Sequence, residues 1–194
     1  MNPKASADSP RAILCRFFYG YRGYLVALPV IFSLVWFRWE VETIWTWPVG
    51  LCLFLLGFGI RVWAQQHLHY RLKVHKNLTL TGPYVFVRNP IYIGNISICL
   101  GLTVCSELLW FVPVTMFYCW GLYSFVVRYE ESHLLAKYGE PYREYMEEVP
   151  RWYPRLSRSG NKSLVTGDLL KSVIVELHSL IPLVLVLIKE LIDA

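Results

Sequence analysis

Long apolar stretches alternate with short polar ones along this chain. Apolar runs fill residues 24–39, 44–64, 91–105, 108–127 and 169–192. A helix needs about 20 apolar residues to cross a bilayer, so the pattern predicts about five transmembrane helices. The first run is short. It is completed by aromatic ends, with Trp36, Trp39, Trp45 and Trp47 crowding the next turn as an interfacial belt does. Ahead of it, residues 11–24 are amphipathic and predict a helix lying on the membrane surface, with Phe17, Phe18 and Tyr21 toward lipid. In the second run Gly50, Gly57 and Gly59 permit close helix approach, and Arg61 is placed to snorkel to the interface. In the third run Gly94, Ser97 and Gly101 fall at i, i+3 and i+7 and form one small-residue face.

The fourth run has no stop at residue 127. Its helical pattern continues through Arg128, Tyr129, Glu130 and Glu131 to Tyr138, with Gly139 as the C-terminal cap. At ~1.5 Å per residue that helix is roughly 45 Å long. It exceeds the ~30 Å hydrocarbon core, so Glu130 and Glu131 are expected just beyond the membrane edge. Pro141 opens a short helix that Pro150 ends. Residues 157–168 read as a polar linker. The tail is apolar, but Lys171, Glu176, His178, Pro182 and Lys189 interrupt it. It is expected to be a fifth span, the alternative being an amphipathic helix on the surface; in a span, Glu176 and His178 must face protein. The fold expected is therefore all-α and polytopic. An N-terminal segment covers 1–23, a membrane core 24–155, and a linker with a terminal helix 156–194.

Composition agrees. The chain is 55% hydrophobic and 16% aromatic, too apolar for an ordinary soluble domain. Sixteen of the nineteen Lys and Arg residues fall in segments 1–23, 61–90 and 128–162. An even number of spans separates these segments, so they share one face, and the positive-inside rule makes it cytoplasmic. The net charge of +5 thus suits anionic lipid headgroups and does not point to nucleic acid. Of the five cysteines, Cys52, Cys99, Cys105 and Cys119 lie within apolar runs, and no Cys-x-x-Cys occurs. They read as small core hydrophobes. His67-x-His69 has no acid or cysteine nearby, so no metal site is expected there.

Chemistry concentrates in residues 81–94, Thr-Gly-Pro-Tyr-Val-Phe-Val-Arg-Asn-Pro-Ile-Tyr-Ile-Gly. Gly82-Pro83 marks a turn, and Pro90 disfavours helix at Asn89 while suiting the first position of a new helix. Arg88 and Asn89 should therefore sit on irregular backbone at a helix mouth, where free N–H donors gather. Such backbone at a membrane surface is tolerated only in protein or against a wet cavity. The second polar cluster, residues 128–154, abuts the other end of the same helical hairpin and is expected beside it.

Together, Gly82-Pro83-Tyr84, Val87-Arg88-Asn89-Pro90, Tyr92 and Gly94, followed by Glu130-Glu131, Leu134, Tyr138-Gly139, Tyr142, Tyr145, Arg151 and Pro154, resemble the isoprenylcysteine carboxyl methyltransferase and phospholipid methyltransferase superfamily. The resemblance covers about residues 60–155. Many isoprenylcysteine enzymes have His where this chain has Asn89, and the Arg-Asn-Pro form is similar to bacterial relatives. The resemblance implies a small membrane methyltransferase using S-adenosylmethionine, with its active site at the cytosolic membrane face. The implied cofactor site comprises Leu80, Gly82, Pro83, Tyr84, Arg88, Asn89, Pro90, Tyr92, Glu130 and Glu131. In it Arg88 would pair the cofactor carboxylate, Glu130 or Glu131 would hold its ammonium or a ribose hydroxyl, and backbone near Leu80, Gly82 and Tyr84 would receive adenine. Arg151, orienting an anionic acceptor, and Glu130 are the implied catalytic residues. The implied acceptor is an isoprenylcysteine-like carboxylate or a lipid, and the oligomeric state stays open.

Residues 128–151 are also similar to the C-terminal part of the membrane sterol reductases, which use NADPH and are much longer. A non-catalytic membrane protein of the same fold is the third reading.

Overall fold

A computed structural model of the chain describes residues 10–36, 44–74, 78–155 and 168–193. Trp39, Glu40, Glu42 and the linker at 157–167 lie outside the described residues. The described residues form seven α-helices: α1 (Pro10–Val35), α2 (Thr46–Val74), α3 (Pro90–Cys105), α4 (Val112–Tyr138), α5 (Glu140–Glu148), α6 (Leu169–Glu176) and α7 (Leu180–Asp193). Short 3-10 turns at Gly82–Val85, Leu109–Phe111 and Leu177–Ser179 precede α3, α4 and α7. Among the described residues there is no strand. Four segments are long and apolar enough to cross a membrane: Pro10–Val35, Thr46–Leu68, Leu109–Tyr138 and Leu169–Ile192. Pro90–Cys105 is a fifth, shorter apolar helix. This is an integral membrane protein.

The surface helix and first span expected at the N-terminus are one uninterrupted helix, α1. Gly20 and Gly23 do not break it, because α4 supports it laterally along its length. Phe18 stacks on Phe125 at 5.0 Å, Tyr19 lies 4.8 Å from Tyr129, and the Tyr118 hydroxyl donates to the Leu25 carbonyl at 2.9 Å. Likewise α2 continues ten residues past the expected end at 64.

The closest helix pair is α2 with α3, and small residues make it possible. A Cβ added to Gly57 would lie 2.6 Å from the Gly94 carbonyl oxygen, and one on Gly101 would lie 2.6 Å from that of Gly50. Between these two contacts the Ser97 hydroxyl donates to the Leu53 carbonyl at 2.7 Å. Without a hydrophobic drive between helices in lipid, such backbone approach supplies the packing. Gly59, also expected to permit close helix approach, meets open space instead. It lies two residues from Gly57, roughly 200° around the helix.

At the membrane end away from the two motifs, Ser106 and Glu107 form the tight turn joining α3 to α4, with Glu107 at φ 60°. Glu107 is buried and accepts from the Thr46 hydroxyl at 2.9 Å. The Lys189 ammonium, also buried, donates to the Ser106 carbonyl at 3.4 Å. Of the tail's polar residues Lys189 and Glu176 thus turn inward, whereas Lys171 and His178 are exposed, and the His178 ring, expected to face protein, bonds the Val175 carbonyl three residues back at 2.7 Å. Glu176 is fully buried against Arg61, whose Nε donates to its Oε2 at 2.6 Å. Arg61 does not snorkel, because a carboxylate inside the bundle satisfies it better than a distant interface.

Candidate functional site

The first motif folds as a turn leading into a helix mouth. Gly82 has φ +64°, and a Cβ there would come within 2.3 Å of the His67 ring. Only glycine fits both the conformation and the neighbour. His67 is buried and shares a hydrogen bond with the Thr81 hydroxyl at 3.0 Å, Nδ1 to Oγ1, so it braces this turn. Arg88 and Asn89 follow on irregular backbone, and Pro90 opens α3, as expected.

The second motif closes over the first through four hydrogen bonds. The Arg88 N–H donates to the Pro150 carbonyl at 3.0 Å, and the Arg155 N–H to the Phe86 carbonyl at 3.0 Å. The Asn89 side-chain amide donates to the Arg151 carbonyl at 3.3 Å, and the Tyr145 hydroxyl to the Tyr84 carbonyl at 2.8 Å. Gly139, at φ +64°, ends α4 and redirects the chain into α5, which carries Tyr142 and Tyr145 back toward the first motif.

The two adjacent carboxylates do different things. Glu131 is buried between two guanidinium groups. Arg151 grips it with Nε at 3.1 Å from Oε1 and Nη2 at 2.5 Å from Oε2, and Arg88 Nη1 stands 3.4 Å from Oε1. Glu130, one residue earlier and turned roughly 100° around α4, accepts from the Tyr92 hydroxyl at 2.6 Å. Arg143 lies apart from both, on the exposed face, 3.6 Å from Glu140. Arg88 is nine-tenths buried, yet its Nε and Nη1 make no hydrogen bond. The Glu131 contact is one of charge alone, so both nitrogens are buried without a hydrogen-bond partner in a residue that lines the cavity described next. Burial pushes the Tyr84, Tyr142 and Tyr145 phenols well above their ordinary range, with the Glu130 carboxylate a lesser cause at Tyr84. All three remain protonated donors.

A cavity of about 1030 Å³ opens here and runs inward between the helices. Tyr84, Arg88, Asn89, Pro90, Tyr92, Glu130 and Glu131 line it. Leu80, Gly82, Pro83 and Arg151 do not: Leu80 is exposed, Gly82 and Pro83 shape the turn, and Arg151 reaches the site through Glu131. Deeper, Val26, Val30, Ile98 and Leu102 give the cavity an apolar interior. The volume matches the upper end of the ~300–1,000 Å³ usual for small-molecule and cofactor sites.

Several lining residues were not among the sequence-predicted ones. Arg22, from α1, lies over the Tyr19 ring at 4.2 Å and donates to the Tyr19 carbonyl at 2.7 Å. Arg61, Asn95 and Tyr123 line the middle of the cavity. The available signal was polarity out of place: an arginine and an amide within apolar runs mark function by default. Among the described residues, no group of three or more His, Cys, Asp and Glu is placed to hold a metal ion.

Residues 45–141 match the family described as "Phospholipid methyltransferase". The chain is 32% identical over 126 residues to the Cobalt-zinc-cadmium resistance protein CzcN of Cupriavidus metallidurans, covering 62% of this chain and 55% of that protein. It is 26% identical over 162 residues to the Nickel-cobalt-cadmium resistance protein NccN of Alcaligenes xylosoxydans xylosoxydans, covering 81% of this chain and 74% of that one. The chain thus spans little more than half the length of the first relative. No solved structure matches it.

Proposed function

This chain belongs to the phospholipid methyltransferase family, and on that footing we propose that it methylates a membrane-borne acceptor, an isoprenylcysteine-like carboxylate or a lipid, using S-adenosylmethionine. The observation that carries the reading is Arg88, a buried guanidinium with orphaned N–H groups on a cavity that also holds Glu130. A buried unpaired donor is costly unless a ligand completes it. A carboxylate does so, and bidentately. Glu130, free of the clasp that holds Glu131, is the carboxylate for an ammonium or a ribose hydroxyl. The donor set therefore fits the zwitterionic end of S-adenosylmethionine.

When bound, that cofactor supplies a methyl group on a sulfonium. The protein's own contribution is alignment and exclusion of water, since an in-line displacement needs little acid–base help. Tyr84, Tyr142 and Tyr145 wall the cavity mouth, and the interlocked motifs hold Arg88 and Glu130 at fixed separation. Glu131 and Arg151 act here as positioning residues. The apolar interior lets the acceptor keep its chain in the bilayer while its head stays on the polar side of the cavity. By the distribution of basic residues, that mouth faces the cytoplasm.

The test is a thermal shift on detergent-purified protein with S-adenosylmethionine, its demethylated product and NADPH. A ligand that binds the native state raises the melting temperature with concentration. The expected result is a shift with the methyl-donor pair that is abolished in Arg88→Ala and weakened in Glu130→Gln. A shift with NADPH alone would overturn the proposal in favour of a reductase.

A further inference from the structure

Within the membrane-spanning part of the cavity lies a second polar group that the family motifs do not include. The Arg61 guanidinium is held on two sides. Its Nε donates to Glu176 at 2.6 Å, and its Nη1 donates to the Asn95 side-chain carbonyl. Among the described residues nothing engages Nη2. The Asn95 amide donates to the Tyr123 hydroxyl at 2.8 Å. That oxygen is therefore an acceptor in its own bond, and its proton is left to point elsewhere. Arg61, Asn95 and Tyr123 all line the cavity.

The inventory of free groups is one-sided. Arg61 Nη2, the Tyr123 hydroxyl proton and the second Asn95 amide hydrogen are donors, while the Asn95 carbonyl is already engaged. Where this cluster lines the cavity its free groups are donors, one of them a cation, while the unpartnered Glu176 Oε1 belongs to a residue off the cavity lining; such a face selects an oxygen-rich anionic group. Asn95 stands one helical turn from Tyr92 on α3, so this group lies one turn deeper than Glu130 and its partner. Beyond it come Val30 and Leu102. Polar mouth, donor girdle and apolar depth therefore succeed one another along a single path.

We propose that Arg61, Asn95 and Tyr123 form the headgroup subsite of the acceptor, which is an amphiphile carrying a carboxylate or phosphate on a long apolar chain. This rests on the methyl-transfer reading for the word acceptor, and on the donor inventory for the oxyanion. Glu176 is the resident counter-ion. It comes from the tail, outside the family-matched residues 45–141, and one of its oxygens is buried with no hydrogen-bond partner. The tail thus tunes how strongly Arg61 attracts a second anion.

The experiment uses the full chain in phosphatidylcholine nanodiscs. Affinities for hexadecanoate, hexadecyl phosphate and hexadecanol are measured by calorimetry, with S-adenosylhomocysteine in parallel. At least one anion is expected to bind about tenfold or more tightly than the alcohol, and the preferred one distinguishes carboxylate from phosphate. Tyr123→Phe, which removes one hydroxyl and conserves the ring, should weaken that anion about fivefold. Glu176→Gln should strengthen it, because the competing charge on Arg61 is gone; a merely structural ion pair would give no gain. Neither change should alter S-adenosylhomocysteine affinity. Anions no tighter than the alcohol, or an anion preference untouched by Tyr123→Phe, would overturn the subsite. Anion selectivity without any S-adenosylhomocysteine binding would remove the acceptor role and leave the oxyanion site standing. Should Glu176→Gln not fold, Tyr123→Phe decides alone.

Discussion

Replacing Glu131 by Gln separates the two carboxylates by their physical roles. Glu131 is 5% exposed and receives two N–H bonds from Arg151 and a charge contact from Arg88. The substitution deletes the charge and points an amide donor at two cations. Removing one partner of a buried pair costs ~3–5 kcal/mol, because the other charge is stranded. The Arg151 side chain is 32% exposed and can turn to water, so its share is discounted; the Arg88 side chain, at 10%, cannot. We expect a loss of about 2–3 kcal/mol on those grounds. The assay is unfolding in mixed micelles at rising denaturing-detergent fraction, for Glu131→Gln, Arg151→Gln and the double variant. The double should be no worse than Glu131→Gln, with a coupling energy on the order of 1–2 kcal/mol. Wild-type stability in Glu131→Gln, or strict additivity in the cycle, would refute the clasp and return Glu131 to the list of plain ligand contacts.

Gly57→Ala places a methyl 2.6 Å from the Gly94 carbonyl and should cost about 1–3 kcal/mol in the same assay, whereas Gly59→Ala, facing open space, should be neutral or gain about 0.4–1 kcal/mol. Tyr145→Phe loses the bond to the Tyr84 carbonyl and should cost about 1 kcal/mol, seen as earlier unfolding. Raised phenol pKa values mean that the folded protein holds protons the unfolded chain releases above about pH 10. Stability should therefore be unaffected by these groups below that pH and fall as it rises further. Ultraviolet difference spectra should show Tyr84, Tyr142 and Tyr145 ionising only together with unfolding.

Local rules read much of this architecture correctly. Gly94, Ser97 and Gly101 predicted a packing stripe, and it is the face α3 turns to α2. Pro90 and Gly139 marked helix ends by backbone chemistry alone, and both stand there. The two motifs meet because the α3–α4 hairpin is short. What stayed illegible depends on partners far apart in sequence. Nothing local distinguishes Glu130 from Glu131; their roles diverge only once Arg88 and Arg151 converge on one of them. Snorkelling was a fair expectation for Arg61 considered within α2, and it fails because Glu176 arrives from a helix 115 residues later. The backbone of Leu80 and Gly82, implied by the family resemblance to receive adenine, does not line the cavity; Gly82 is taken up by the turn, and Leu80 is exposed.

The pairing of Arg61 with Glu176 bears on how the protein is made. Arg61 enters the bilayer on α2 while its counter-ion is still untranslated. An unpaired arginine within an apolar span opposes insertion, by up to roughly 2.5–3.5 kcal/mol at a helix centre. At ~5–20 residues per second, the 115 residues from Arg61 on to Glu176 take about 6–23 seconds to synthesise. For that interval the nascent bundle carries an uncompensated charge, and Asn95 on α3 is the first neighbour able to shelter it. Assembly is thus completed from the C-terminal end. A chain stopped before Glu176 would leave the translocon with the family-matched helices in place and a bare cation in its interior, and membrane quality control would meet it in that form.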